Sequence, residues 1–229
     1  MTVSRRERPI PLALTLLIAV FSALVALALS GGHDMSAHAA SGHEHANATP
    51  SRAAFALRTD MRQLWEEHVT WTRLAIISLT TDAPDTTATV NRLLRNQTDI
   101  GNAVKPYYGA AAGRQLTALL REHILIAADV IAAARKGDTA GLAAQQARWT
   151  ANADQIAAFL HKANPAWKLG PTKAMMHEHL RLTTNEVVAR LKQNWNADVR
   201  AYDAIERQAL HMADMLSAGI VQQFPRRFA

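Results

Sequence analysis

Apolar residues recur every three to four positions along most of this chain, and no segment keeps the two-residue period of a strand. A first helix is predicted from about Arg52 to Leu79, with Leu57, Met61, Leu64, His68 and Thr72 on one stripe. Thr80 to Asp85, with Pro84 inside, reads as a stop followed by a new N-cap. A second helix then runs to about Val104, where Lys105-Pro106-Tyr107-Tyr108-Gly109 breaks it. A third spans roughly Ala110 to Ala134, and Arg135-Lys136-Gly137 is a helix end with basic residues and a glycine behind them. A fourth continues to about Lys162, and Asn164-Pro165 through Gly170-Pro171 separates it from a fifth that begins near Thr172. From Thr172 to Phe224 no glycine or proline intervenes before Gly219. One helix of that length would span about 75 Å. A break near Gln193-Asn194-Trp195-Asn196 is therefore expected.

The pattern also repeats. Glu67-His68, Glu122-His123 and Glu178-His179 are separated by 55 and then 56 residues. Aligned on these pairs, Val69, Ile124 and Leu180 coincide, as do Thr72, Ala127 and Thr183, and Ile76, Ile131 and Val187. A repeat of this length marks a supersecondary unit that buries its apolar face only against its neighbours. The expected fold is all-α: an up-and-down bundle of three consecutive helical hairpins, five to six helices over residues 52–225.

The N-terminal part obeys different rules. Arg5, Arg6 and Arg8 precede an uncharged apolar run from Ile10 to Leu29, so residues 1–30 read as a signal peptide or membrane anchor. The positive-inside rule then predicts that the following domain lies outside the cytoplasm, membrane-anchored or secreted. Residues 31–51 read as a flexible linker too polar and small to pack. It carries His33, His38, His43 and His45 with Met35 among them, a composition that can bind Cu or Zn.

Charge and composition remove several function classes. Of the formal +6, residues 5–8 contribute +2 and Arg226 with Arg227 another +2, which leaves +2 for everything between. No basic run interleaved with aromatics appears there, so no nucleic-acid partner is expected. The chain has no cysteine, which excludes disulfides, thiolate ligands and a Cys nucleophile. Glu-x-x-His, His-Glu-x-x-His, Gly-x-Ser-x-Gly and a phosphate-binding glycine loop are all absent. An enzyme of a motif-bearing class is not the expectation.

What remains is the Glu-His pairs. Each His falls on or beside the apolar stripe of its helix, while its Glu is rotated by about 100° toward a helix–helix boundary. If the repeats stack in equivalent orientation, the three imidazoles converge at one level, and three His ligands with an open fourth position make a competent Cu or Zn site. His68, His123 and His179 are the expected ligands, with Glu67, Glu122 and Glu178 as co-ligands or supporting partners. Asp99 and Asp154 each fall 32 residues after their Glu, and His211 with Asp214 occupies the comparable region of the third unit. A carboxylate there would accept the proton of a ligand's second ring nitrogen. A small polar ligand is the alternative occupant. The rival reading is structural: a half-buried His bonded to the next helix satisfies a polar group and fixes helix register. Asn96-Gln97-x-Asp99 is unusually polar for a packing helix and either lines a polar cavity at this level or faces solvent.

Leu64-Trp65-Glu66-Glu67-His68-Val69, Leu94-Arg95-Asn96-Gln97, Arg121-Glu122-His123-Ile124 and Leu182-Thr183-Thr184-Asn185-Glu186 together resemble a family of bacterial all-helical proteins with no established activity. The resemblance covers roughly Leu57 to Pro225 and supports the domain boundary. A glycosyltransferase label sometimes accompanies that family. No nucleotide-binding α/β pattern and no Asp-x-Asp motif is present here to support it.

Overall fold

The computed structural model describes residues 50–229. The leader expected over 1–30, and all but the last two residues of the linker expected over 31–51, lie outside the described residues. The described chain is all-helical: α1 (Arg52–Thr81), α2 (Thr86–Lys136), α3 (Thr139–Ala163), α4 (Leu169–Leu191) and α5 (Trp195–Gln223), with a closing 3₁₀ turn at Pro225–Arg227. No described helix is long and apolar enough to cross a membrane.

The helix ends have local causes. Ser51, Asp138 and Asn194 cap α1, α3 and α5 by accepting from the backbone N–H three residues on. Asp82 (φ 58°), Gly137 (φ 71°) and Gln193 (φ 57°) turn the chain through the left-handed region after α1, α2 and α4. The break expected at 105–109 is narrower than the sequence suggests. Helix α2 runs through Pro106 and bends at one residue, Gly109 (φ 84°, ψ 166°). Beyond it the two limbs, 86–108 and 110–136, lie side by side. A methyl on Gly101 would stand 2.7 Å from the carbonyl of Gly113, and one on Gly113 would stand 2.5 Å from the carbonyl of Gly101. The break expected near Gln193–Asn196 is present, with Asn194 opening α5.

Packing follows the chain and then closes it. Helix α1 packs on α2, α2 on α3, α3 on α4 and α4 on α5, while α5 returns to α1. The main core is one cluster to which every helix contributes, Met61, Leu120, Ile156, Leu180 and Met212 among them. Burial of this apolar surface is the dominant favourable term, roughly 1.5–3 kcal/mol for each large side chain. The return of α5 to α1 is also sealed by charge. Asp214 accepts from Arg58 and Arg62, and Asp198 takes both terminal nitrogens of Arg73 at 3.1 and 3.0 Å.

Candidate functional site

His68, His123 and His179 meet in the middle of the bundle, each 4 % exposed. The His179 ring centre lies 5.8 Å from that of His68 and 6.3 Å from that of His123. Trp65 stands edge-on to His68 at 5.4 Å, and Trp149 lies against His123 at 5.3 Å.

Each ring is held from the following helix segment by a carboxamide, and the interval is 29 residues in every case. Asn152 donates its amide N–H to the Leu119 carbonyl and presents Oδ1 to His123 Nδ1 at 2.8 Å. Gln208 likewise donates to the Met175 carbonyl and presents Oε1 to His179 Nδ1 at 3.1 Å. Both carbonyls belong to the residue four before the histidine. A backbone carbonyl only accepts, so it fixes which way the amide faces. The amide oxygen must then receive a proton from Nδ1, and Nε2 is left with its lone pair. This is the tautomer in which an imidazole ligates through Nε2.

The first unit divides the same task between two side chains. Asn96 Nδ2 donates to the Leu64 carbonyl, again four before the histidine, while Gln97 Nε2 faces His68 Nδ1 at 3.1 Å. Gln97 Nε2 also donates to the Leu93 carbonyl and to Asn96 Oδ1, and its own Oε1 is buried without a partner. Two hydrogens cannot serve three contacts. In this arrangement Nδ1 of His68 accepts and the ring proton sits on Nε2. Turning the carboxamide over would bring Oε1 to Nδ1 but would also set it against the Leu93 carbonyl and Asn96 Oδ1, both acceptors, so the first unit differs from the other two.

All three rings are neutral. Burial, with the fields of the two neighbouring imidazoles, pushes His68 down to about 3. Burial, with the field of His179, brings His123 to about 3, and burial also lowers His179. The hydrogen bonds that reach these rings all land on Nδ1. Nε2 of His123 is fully buried and has no partner.

The other expected residues are not brought to this level. Glu67 binds Arg92 at 2.8 Å, and Glu178 is clasped by Arg181 three residues on. Glu122 is exposed on a groove that also carries Arg114, Arg121 and Arg148. The reason is rotational: one residue turns the side chain about 100°, which carries each Glu off the core face that its His occupies. Asp214 pairs with Arg58 and Arg62, His211 is exposed, and Asp154 binds Lys173 and His177. Among the described residues, no group of three or more His, Asp or Glu is arranged as a formed metal site. Three imidazoles on one ion, with metal–nitrogen bonds near 2.1 Å, would have ring centres roughly 5–5.5 Å apart. The His179–His68 and His179–His123 pairs would have to close by several tenths of an ångström to about 1 Å.

Apolar cavities lie on both sides of the ring layer. The residue three before each histidine (Trp65, Leu120, Met176) lines one, of about 30 Å³. The residue four after each (Thr72, Ala127, Thr183) lines the other, of about 40 Å³. The sequence reading missed the carboxamides as partners, expecting carboxylates. Its signal was the polar Asn96-Gln97 pair, both residues fully buried. A second buried group joins α1, α4 and α5: Arg73 bridges Glu186 and Asp198, and Arg190 also binds Asp198. Burial pushes the Glu186 carboxyl up to about 7 against the pull of Arg73.

No family model matches the chain, and neither a curated protein nor a solved structure matches it.

Proposed function

We propose that residues 52–225 are three consecutive helical hairpins closed into an up-and-down bundle, and that the bundle binds one Cu or Zn ion through His68, His123 and His179. The N-terminal segment holds it outside the cytoplasm as an anchored or secreted domain. The observation that supports the binding reading is the carboxamide clamp, which on the second and third copies of the repeat orients the imidazole and leaves Nε2 its lone pair. Satisfying one buried histidine needs only a single partner. It does not need three such bases gathered so that His179 lies 5.8 and 6.3 Å from the other two and its field disfavours charge on both. The carboxylates of the pairs serve at the surface, as ion-pair partners of Arg92 and Arg181 in the first and third copies.

The second reading is a non-catalytic structural module in which the histidines only lock helix register. The ring spacing, wider than a bound ion requires, and the donor facing His68 Nδ1 favour it. Metal content and thermal unfolding of the whole chain separate the two, with His33, His38, His43 and His45 replaced by Gln so that the linker contributes nothing. Binding predicts one ion per chain and a midpoint that rises with free Cu or Zn, because a ligand specific for the folded state stabilises it. His123→Gln should abolish both effects. No bound ion and no metal-dependent shift, with a large loss of stability in His123→Gln, would establish the register lock instead.

A further inference from the structure

We infer that the ion suited to this centre is monovalent copper, Cu(I), in preference to Zn(II) or Cu(II). The inference rests on the metal-binding reading above and adds to it the charge of the ion. Three neutral imidazoles form a donor set of zero net charge. The carboxylates that would balance a dication are committed elsewhere or, as with exposed Glu122, stand off the core face. Glu67 is bound to Arg92, Glu178 to Arg181, and Asp214 to Arg58 and Arg62. Glu186, two turns beyond His179 on the same helix, is tied to Arg73. The chain has no cysteine to supply a thiolate.

Uncompensated charge in a buried site is costly, and the solvation penalty grows with the square of the charge. A bare dication here therefore costs about four times as much as a monocation. Zn(II) usually recovers part of that cost with a fourth, anionic or water-derived ligand. The cavity walls next to the ring layer are apolar, and the unpaired hydroxyl among them, Thr72 Oγ1, carries no charge. Cu(I) is stable with few soft or imidazole donors and needs no anion.

The cavity on the other side of the rings points the same way. Met61, Met175, Met176 and Met212 share its wall. Thioethers are soft, neutral donors that suit Cu(I) and not Zn(II). Met176 sits one turn before His179, and Met212 one turn after Gln208. They place such donors beside the ligand layer without adding charge.

The test is a pair of anaerobic competition titrations on the whole chain carrying the four linker His→Gln changes. One uses bathocuproine disulfonate as the competitor for Cu(I), and the other a chromophoric chelator for Zn(II). The expected result is one Cu(I) per chain, held at least about 100-fold more tightly than Zn(II), with copper K-edge absorption reporting low-coordinate Cu(I) bound by nitrogen. His123→Gln should weaken Cu(I) by at least the same factor. Zn(II) bound as tightly as Cu(I) overturns this inference and leaves the metal reading standing. Neither ion bound overturns both. Cu(I) retained unchanged in His123→Gln, or an absorption edge dominated by sulfur, places the ion elsewhere and also overturns the inference. The absorption measurement needs only the chain with the native centre, so a variant that fails to fold does not remove the test.

Discussion

A carboxamide is a more discriminating partner for these histidines than a carboxylate would be. It accepts one proton at its oxygen and donates at its nitrogen, so the backbone carbonyl at its other end sets the tautomer of the ring. Asn152 makes both contacts, to His123 Nδ1 and to the Leu119 carbonyl. Asn152→Ala leaves the ring N–H without an acceptor in a buried site. It should cost about 1–3 kcal/mol in urea unfolding. If the ring is a ligand, the same change should also weaken metal binding about 10–100-fold. A loss of stability well below that range would show that the hydrogen bond to Nδ1 is not what matters. The histidines were legible because three copies of a dipeptide stand out. Their partners were not, since the first unit splits the role between Asn96 and Gln97 and blurs the alignment. The more conspicuous carboxylates drew attention to the surface.

At the scale of elements, the reading of helices from periodicity holds wherever caps and stops are chemical. Gly137 ends α2 where the basic residues and glycine place a helix end, and the chain breaks at Gln193 and Asn194 as expected. The new helix expected after residues 80–85 starts at Thr86 with no side-chain cap from Asp85. What periodicity does not reveal is how α2 folds back on itself. Pro106 looks like the breaker, yet the helix passes through it, and Gly109 alone takes the positive φ. Two other glycines make the close approach possible, and sequence spacing gives no hint that Gly101 and Gly113 meet. A methyl on Gly101 would lie 1.9 Å from Thr117 Oγ1 and 2.7 Å from the Gly113 carbonyl. The hydroxyl can rotate away; the backbone carbonyl cannot. Gly101→Ala should therefore destabilise by about 3 kcal/mol in denaturant unfolding. Gly170, in the first turn of α4, has open space where a methyl would go. Ala there precedes Pro171, which disfavours the helical conformation of a residue with a Cβ, so the gain in propensity is offset and stability should change by less than about 1 kcal/mol. Equal effects at the two positions would mean that the contact between the limbs of α2 is looser than described.

For the whole molecule, the buried histidines make stability a function of pH, and the sign can be worked through. His68 and His123 titrate near 3 when folded, against 6.5 when unfolded, and His179 is shifted the same way. Between those values the unfolded chain binds protons that the folded chain refuses, so the stabilisation is complete above about 6.5 and lost as pH falls toward 3. Glu186 acts in the opposite sense. Its folded value of about 7 lies above the 4.5 of the free side chain, so its contribution is complete below 4.5 and lost as pH rises through 7. The two to three imidazole protons outweigh the one carboxyl proton. Stability should then fall by roughly 3–5 kcal/mol between pH 6.5 and 4.5. That is a large share of the 5–15 kcal/mol typical of a domain, so acid unfolding should set in while most surface carboxylates are still charged. Glu186→Gln separates the terms. It should steepen the loss below pH 6.5 by about one proton and gain on the wild type by on the order of 2 kcal/mol as pH rises from 5 to 8. His123→Gln should make the acid slope shallower by about one proton. Urea unfolding midpoints at half-unit pH intervals for the three proteins give these slopes. A wild-type profile flat from 6.5 to 4.5 would mean that the rings can take up protons in the folded state. A centre able to do that is reached by water.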